Sequence, residues 1–170
     1  VTIQSRGHDL GDLGLAHTGS ALNDAVVTKG AVARVVRLQV NAGSEQLGMF
    51  SGDGVVVATP TGSTGYSLSA GGPVVETTAQ NFIISPICAH SVVSKSFVLS
   101  AVGTITVTAA DSNRKQIYLS VDGGRAFSLH QDDQVRICRS RYETELLRLP
   151  DKSIYQILRM KMTGGIGKEK

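Results

Sequence analysis

The chain has 170 residues, 41% apolar and 18% charged, with a net charge of +3 and two cysteines. That is enough for one domain with a sizeable core. Two thiols make no disulfide framework, so Cys88 and Cys138 are expected to be reduced and buried. The cations gather at Arg136, Arg139, Arg141, Arg148 and the tail without interleaved aromatics, which reads as a solvated rim and not as a nucleic-acid track. No apolar run reaches about 18 residues and no signal-peptide pattern opens the chain, so no membrane is expected and the reading is cytoplasmic.

Taken in chain order, the predicted elements are mostly strands. The chain opens without an initiator Met on the strand-like run Val1 to Gln4, which reads as a segment taken from a longer protein. Further β-branched or alternating runs follow at Ala25 to Val27, Ala33 to Val40, Val55 to Ala58, Phe82 to Ser85, Phe97 to Leu99, Thr104 to Ala109, Gln116 to Val121, Gln134 to Arg139 and Thr144 to Arg148. Gly, Asp, Asn and Ser turns separate them. Short strands at this spacing predict a mainly β fold, a sandwich or barrel. Two segments read as helical. One is a short turn over Tyr66 to Ala70 with Ser63 or Thr64 as N-cap, the other Ser153 to Met162, capped by Asp151-Lys152-Ser153. Residues 1–162 are expected to form one domain and Thr163 to Lys170 a flexible tail.

The stretch Ser51 to Pro73 is the most informative. Val55 to Ala58 reads as a strand buried on both faces, and the glycines and hydroxyls after it cannot continue the ladder. Such a strand delivers a polar loop to one end of a sheet, offering backbone N–H groups, small hydroxyls and close backbone approach, while Asp53 adds an acceptor for a ribose hydroxyl or an exocyclic amine. That chemistry suits a nucleotide. Gly62-Ser63-Thr64-Gly65 is neither a P-loop nor a nucleophile elbow. His90 beside Ser91 has nothing to orient it as a catalytic dyad and reads as a structural histidine. The histidines at 8, 17, 90 and 130 lack metal-ligand spacing, so no protein-only metal site is expected. Asn23-Asp24 sets a carboxamide beside a carboxylate just before a strand; the pair either grips two ribose hydroxyls or closes an Asx turn. Asp122-Gly123-Gly124 reads as a hairpin turn.

These residues resemble the NAD kinase family. Ala21-Leu22-Asn23-Asp24 is similar to its Asn-Glu/Asp motif. Asp53-Gly54 followed by Thr59 to Pro73 resembles its glycine-rich motif nearly letter for letter, and Pro86 to Ser91 and Val121-Asp122-Gly123 fall where the family has related stretches. The resemblance covers the chain to about Met162. It implies the all-β, NAD-binding C-terminal domain of an enzyme that phosphorylates the 2′-hydroxyl of the adenosine ribose of NAD to give NADP, using ATP or polyphosphate with Mg²⁺, and working as a homodimer or homotetramer. The family's Gly-Gly-Asp-Gly-Thr motif, which carries the general base on an N-terminal α/β domain, is absent from these residues. This segment is therefore expected to be inactive alone.

By the same resemblance Asn23 and Asp24 hold NAD hydroxyls, and Thr64, Gly65, Tyr66 and Ser69 line the pocket for the nicotinamide or adenine end. Asp53 reaches a nucleotide bound mainly by a neighbouring subunit. Arg34 and Ser51 align with weaker contact positions, and Thr61, Ser67, Leu68, Asp122 and Gly124 complete the set. The family usually has Ala at Gly65 and Gln at Gly124. A stand-alone, non-catalytic nucleotide-binding module is the alternative. A lipid kinase of the diacylglycerol type is a weaker one, against which the Thr59 to Pro73 motif argues.

Overall fold

The computed structural model describes residues 2–6, 15–30, 35–90, 95–110, 116–147, 156 and 158–160. Among these residues twelve strands form two six-stranded sheets in which every pairing is antiparallel. In chain order they are β1 (Thr2–Arg6), β2 (Leu15–Ser20), β3 (Asp24–Lys29), β4 (Val36–Ala42), β5 (Glu45–Gly52), β6 (Gly54–Ala58), β7 (Asn81–Ile87), β8 (Phe97–Ser100), β9 (Ile105–Ala109), β10 (Ile117–Val121), β11 (Ala126–Leu129) and β12 (Gln134–Cys138). The first sheet runs β2-β1-β12-β9-β4-β5 and the second β11-β10-β3-β6-β7-β8.

Alternation in sequence decides which residues meet between the sheets. Val36, Leu38 and Val40 of β4, Ile105 and Val107 of β9, and Val135 and Ile137 of β12 point inward from the first sheet. Val27, Val55, Val57, Ile84, Ile117 and Leu119 meet them from the second. Each such side chain contributes about 1.5–3 kcal/mol of burial. Between these positions on β4, Arg37, Gln39 and Asn41 are exposed or partly so, as expected of a sheet with one wet face.

The second sheet differs, because its outer face is covered too. Val26, Val56, Ala58, Ile83 and Ile87 form a smaller core there, with Ala70 and Val75 of the glycine loop packed on it. All five residues of β6 are therefore buried, as the unbroken Val55 to Ala58 run predicts. Pro86 is accommodated in β7 because it lies beyond Ile84, the last residue that pairs with β8.

Several sequence-based expectations are corrected. Thr144 to Leu147 form no strand, and Arg148 lies outside the described residues; Leu146 and Leu147 are exposed, so that run has no face to bury. Three strands were missed, β2, β5 and β11, and each is an edge strand. Neither Ser63 nor Thr64 caps the short helix α1 (Tyr66–Ser69), which begins after Gly65 with no side-chain cap. Thr61–Thr64 is itself a turn of 3₁₀ helix, and the Ser63 hydroxyl is engaged by Pro60 and Val75. Cys88 is exposed and Cys138 only partly buried, and neither forms a disulfide. Of the second expected helix, Gln156 and Leu158 to Met160 are helical. Val1, Ala31 to Arg34, Ser91 and the tail 163–170 lie outside the described residues.

Candidate functional site

The site is built where β3 begins and β6 ends. Antiparallel pairing sets Asp24 opposite Ala58, so the Asn23-Asp24 pair and the loop that leaves β6 emerge at the same edge of the second sheet. Thr59 fastens them: its N–H donates to the Asn23 carbonyl at 2.8 Å, and its hydroxyl donates to the Leu22 carbonyl at 2.6 Å. The same hydroxyl accepts from the Gly62 N–H at 3.1 Å. Gly62 lies so close to the Asn23 backbone that a Cβ there would overlap the Asn23 carbonyl oxygen. Only glycine permits this approach.

The loop then folds back over the sheet. Ser63, fully buried, donates to the Pro60 carbonyl at 2.6 Å and accepts from the Val75 N–H at 3.1 Å, closing the loop on itself. The buried hydroxyls of Ser67 and Ser85 are 3.0 Å apart, and Ser96 donates to Ser85 at 3.1 Å, which pins α1 to β7. Ser67 thus turns inward, with its hydroxyl taken. Tyr66, 45% exposed, and the exposed Gly65 and Ser69 turn outward; Thr61, Thr64 and Leu68 are partly buried.

The β10–β11 hairpin reaches the same place. Val121 to Gly124 is a tight turn, with the Gly124 N–H donating to the Val121 carbonyl at 2.8 Å and positive φ at Asp122 and Gly123. That is the type I′ geometry for which Asp-Gly is suited. The Asp122 carboxylate accepts from the backbone N–H groups of Leu22 at 2.7 Å, Asn23 at 2.7 Å and Asp24 at 2.9 Å. Gly124 offers this site no side chain.

Asp24 is only 6% exposed, and the described residues give its carboxylate no hydrogen-bond donor. Burial raises its pKa above the ordinary carboxylate value, and the nearby Asp122 charge adds to the rise. The Asn23 carboxamide likewise has no partner among the described residues, so neither side chain closes an Asx turn. Gly65 lies over Asp24: a methyl at Gly65 would be 4.0 Å from Asp24 Oδ2 and 3.3 Å from the Gly62 carbonyl, tight enough to need a small shift. Chemically, this edge offers a buried acceptor, an amide without a partner among the described residues, loop backbone groups and an exposed aromatic ring.

Ser51 and Asp53 are not part of it. Thr28 pairs with Gly54, so Asp53 lies at the far end of β3 and β6, about 15 Å of strand away. There Asp53 forms an ion pair with Lys29 at 2.6 Å, and the Ser51 carbonyl accepts from the N–H of His90, itself exposed. The predicted residues therefore divide between two ends of one sheet. Sequence reasoning missed Thr59 and Ser85 as organising residues. Thr59 was legible as the first residue of the motif, whereas Ser85 inside an apolar strand carried no such signal.

The profile of the ATP-NAD kinase C-terminal domain matches residues 22–149. The chain belongs to the ATP-NAD kinase family. It is 46% identical over 147 residues to an NAD kinase of Symbiobacterium thermophilum, covering 86% of this chain and 52% of that protein. It is 38% identical over 148 residues to one of Natranaerobius thermophilus, covering 87% and 51%. Among solved structures, yeast NADH kinase complexed with NADH superposes with a TM-score of 0.72 at 29% identity, covering 81% of this chain and 38% of that one. An NAD kinase from Archaeoglobus fulgidus in complex with ATP gives 0.64 at 26% identity, covering 82% and 51%. The chain thus spans about half the length of the NAD kinases it matches. Its two antiparallel sheets are those of the NAD kinase C-terminal domain.

Proposed function

We propose that this chain is the NAD-binding part of an enzyme that transfers a phosphoryl group from ATP, or polyphosphate, to the 2′-hydroxyl of the adenosine ribose of NAD. The observation that carries the reading is Asp24, a residue 6% exposed, beside the Asn23 carboxamide and the glycine loop, neither side chain having a hydrogen-bond partner among the described residues. Two ribose hydroxyls supply the missing donors, and the Asn23 amide both donates and accepts. Thr64, Gly65, Tyr66 and Ser69 flank a base or nicotinamide ring on the loop side. Thr61, Leu68 and Gly124 border the same edge, and Arg34 is retained as a weaker contact position.

In the reaction the 2′-oxygen attacks the terminal phosphorus, the bond to the bridging oxygen breaks, ADP leaves and the hydroxyl proton passes to a base. Phosphoryl transfer depends mainly on positioning and electrostatics. This chain supplies the positioning. The base belongs to an upstream domain with the Gly-Gly-Asp-Gly-Thr motif, absent from these residues. By the family resemblance Mg²⁺ would come with the donor nucleotide, and no step is routed through it. Asp53, at the far end of the sheet, completes the site of a neighbouring subunit in a homodimer or homotetramer. The assignment to the cytoplasm is part of the same reading.

The test is NADP formation. The 170-residue chain alone should produce none, and joined to the upstream domain it should be active. In that active protein Asn23→Ala should weaken NAD binding by about 1–3 kcal/mol, because a buried hydroxyl loses its partner. Turnover by the isolated chain, or unchanged KM and kcat in Asn23→Ala, contradicts the reading. NAD binding without turnover in the joined protein favours a non-catalytic module.

A further inference from the structure

We propose that Asp122 is a positioning residue that presents the Asn23 side chain to the nucleotide by gripping the backbone around it. The inference rests on the reading of Asn23 as a nucleotide-holding residue. Three consecutive N–H groups, those of Leu22, Asn23 and Asp24, converge on one carboxylate, Oδ1 taking Asn23 and Asp24 and Oδ2 taking Leu22. Successive amides aimed at one point form an anion-binding concavity, and here the chain's own carboxylate fills it from about a hundred residues away. The clamp is reciprocal, since the Asp122 N–H donates to the Asp24 carbonyl at 3.0 Å. Asn23 is thereby held from two sides, its N–H by Asp122 and its carbonyl by Thr59.

The hairpin by itself does not need this carboxylate. Asn or Gly satisfies the first φ > 0 position of a type I′ turn equally well, and neither would set a charge near the buried Asp24. The Asp122 carboxylate, with its oxygens directed at three amides, is instead spent on the segment that carries Asn23. Charge-assisted bonds of this kind are shorter and stronger than neutral ones, which suits the fixing of a strand entry.

The test compares Asp122→Gly, which removes the carboxylate while keeping the positive φ without strain, with Asp122→Asn, which keeps one carbonyl oxygen. NAD affinity is measured by calorimetry in the protein that joins this chain to its upstream domain, for each variant alone and combined with Asn23→Ala. Asp122→Gly should weaken binding on the order of tenfold, Asp122→Asn should weaken it less, and Asp122→Gly should add nothing once Asn23 is already Ala. If the two losses multiply, Asp122 does not act through Asn23 and the proposal is overturned, while the nucleotide role of Asn23 stands. An Asn23→Ala protein that binds NAD like its parent overturns the underlying reading and the proposal together. Amide hydrogen exchange on the 170-residue chain gives an independent readout. Asp122→Gly should speed exchange at Leu22, Asn23 and Asp24 and leave Val55 to Val57 unchanged; no change at the first three, or a uniform rise everywhere, rejects positioning.

Discussion

At the scale of single residues, the buried Asp24 carboxylate is a group whose titration the fold shifts. Its folded-state pKa is raised, first by desolvation and then by Asp122, so folding penalises its ionised form relative to the unfolded chain. The sign follows from linkage: a raised carboxylate pKa costs nothing below the unfolded value of about 4, and the cost builds as pH rises from there and is complete above the folded value. Asp24→Asn is therefore expected to raise the Tm of the free chain at pH 7, and the gain should vanish below about pH 4. Melting curves across that range check it, and an equal gain at both ends would show that Asp24 is not the titrating group. Ligand binding should run the opposite way, since ribose hydroxyls donate to the ionised form.

At the scale of elements, the glycine loop is a clamp whose fit depends on absent side chains. Gly62→Ala would drive a methyl into the Asn23 backbone, which must move because neither partner is a flexible side-chain end. We expect a loss of about 1–3 kcal/mol, the usual cost of overpacking, together with weaker nucleotide binding. Gly103→Ala, where a Cβ would meet nothing within 4 Å, is the control and should be nearly neutral. Urea unfolding of both variants decides the matter, and equal midpoints would show that the loop yields without cost. The strands missed from sequence belong to this scale too. Leu15–Ser20, Glu45–Gly52 and Ala126–Leu129 contain few β-branched residues and lie at sheet edges, so their conformation is imposed by one neighbour. Thr144 to Arg148 erred in the other direction: its composition suits a strand, yet the described part, Thr144 to Leu147, is exposed and unpaired.

At the scale of the whole molecule, the second sheet separates two groups of polar residues by the length of β3 and β6. Asn23, Asp24 and the glycine loop occupy one end, and Asp53 with Lys29 the other. The Asp53–Lys29 pair is partly exposed, and such pairs contribute about 0–1 kcal/mol. Asp53→Asn should thus leave the stability of the protomer nearly unchanged. If Asp53 completes a neighbour's site, the same variant should lose activity in the joined protein, and mixing it with an Asn23→Ala protein should regenerate some intact composite sites. With subunit exchange verified, a mixture no more active than either parent would place each site within one chain.

The mainly β class, the doubly buried strand Val55 to Ala58 and the hairpin at Asp122-Gly123 were legible in the linear chain, and the nucleotide reading of Asn23, Asp24 and the loop, proposed above, starts from the same local pattern. Each is written in local pattern, in β-branched runs, turn residues and motif spacing. What only the tertiary structure decided is who meets whom. Antiparallel register brought Asn23 to Thr59 and Gly62, and carried Asp53, only a few residues before that loop, to the far end of the sheet. It buried the Ser67 hydroxyl against Ser85 and brought Asp122 to the amides of Leu22 to Asp24 across about a hundred residues. The physical reason is that register and sheet order are set by packing across the sandwich, a sum over distant residues that no local window contains.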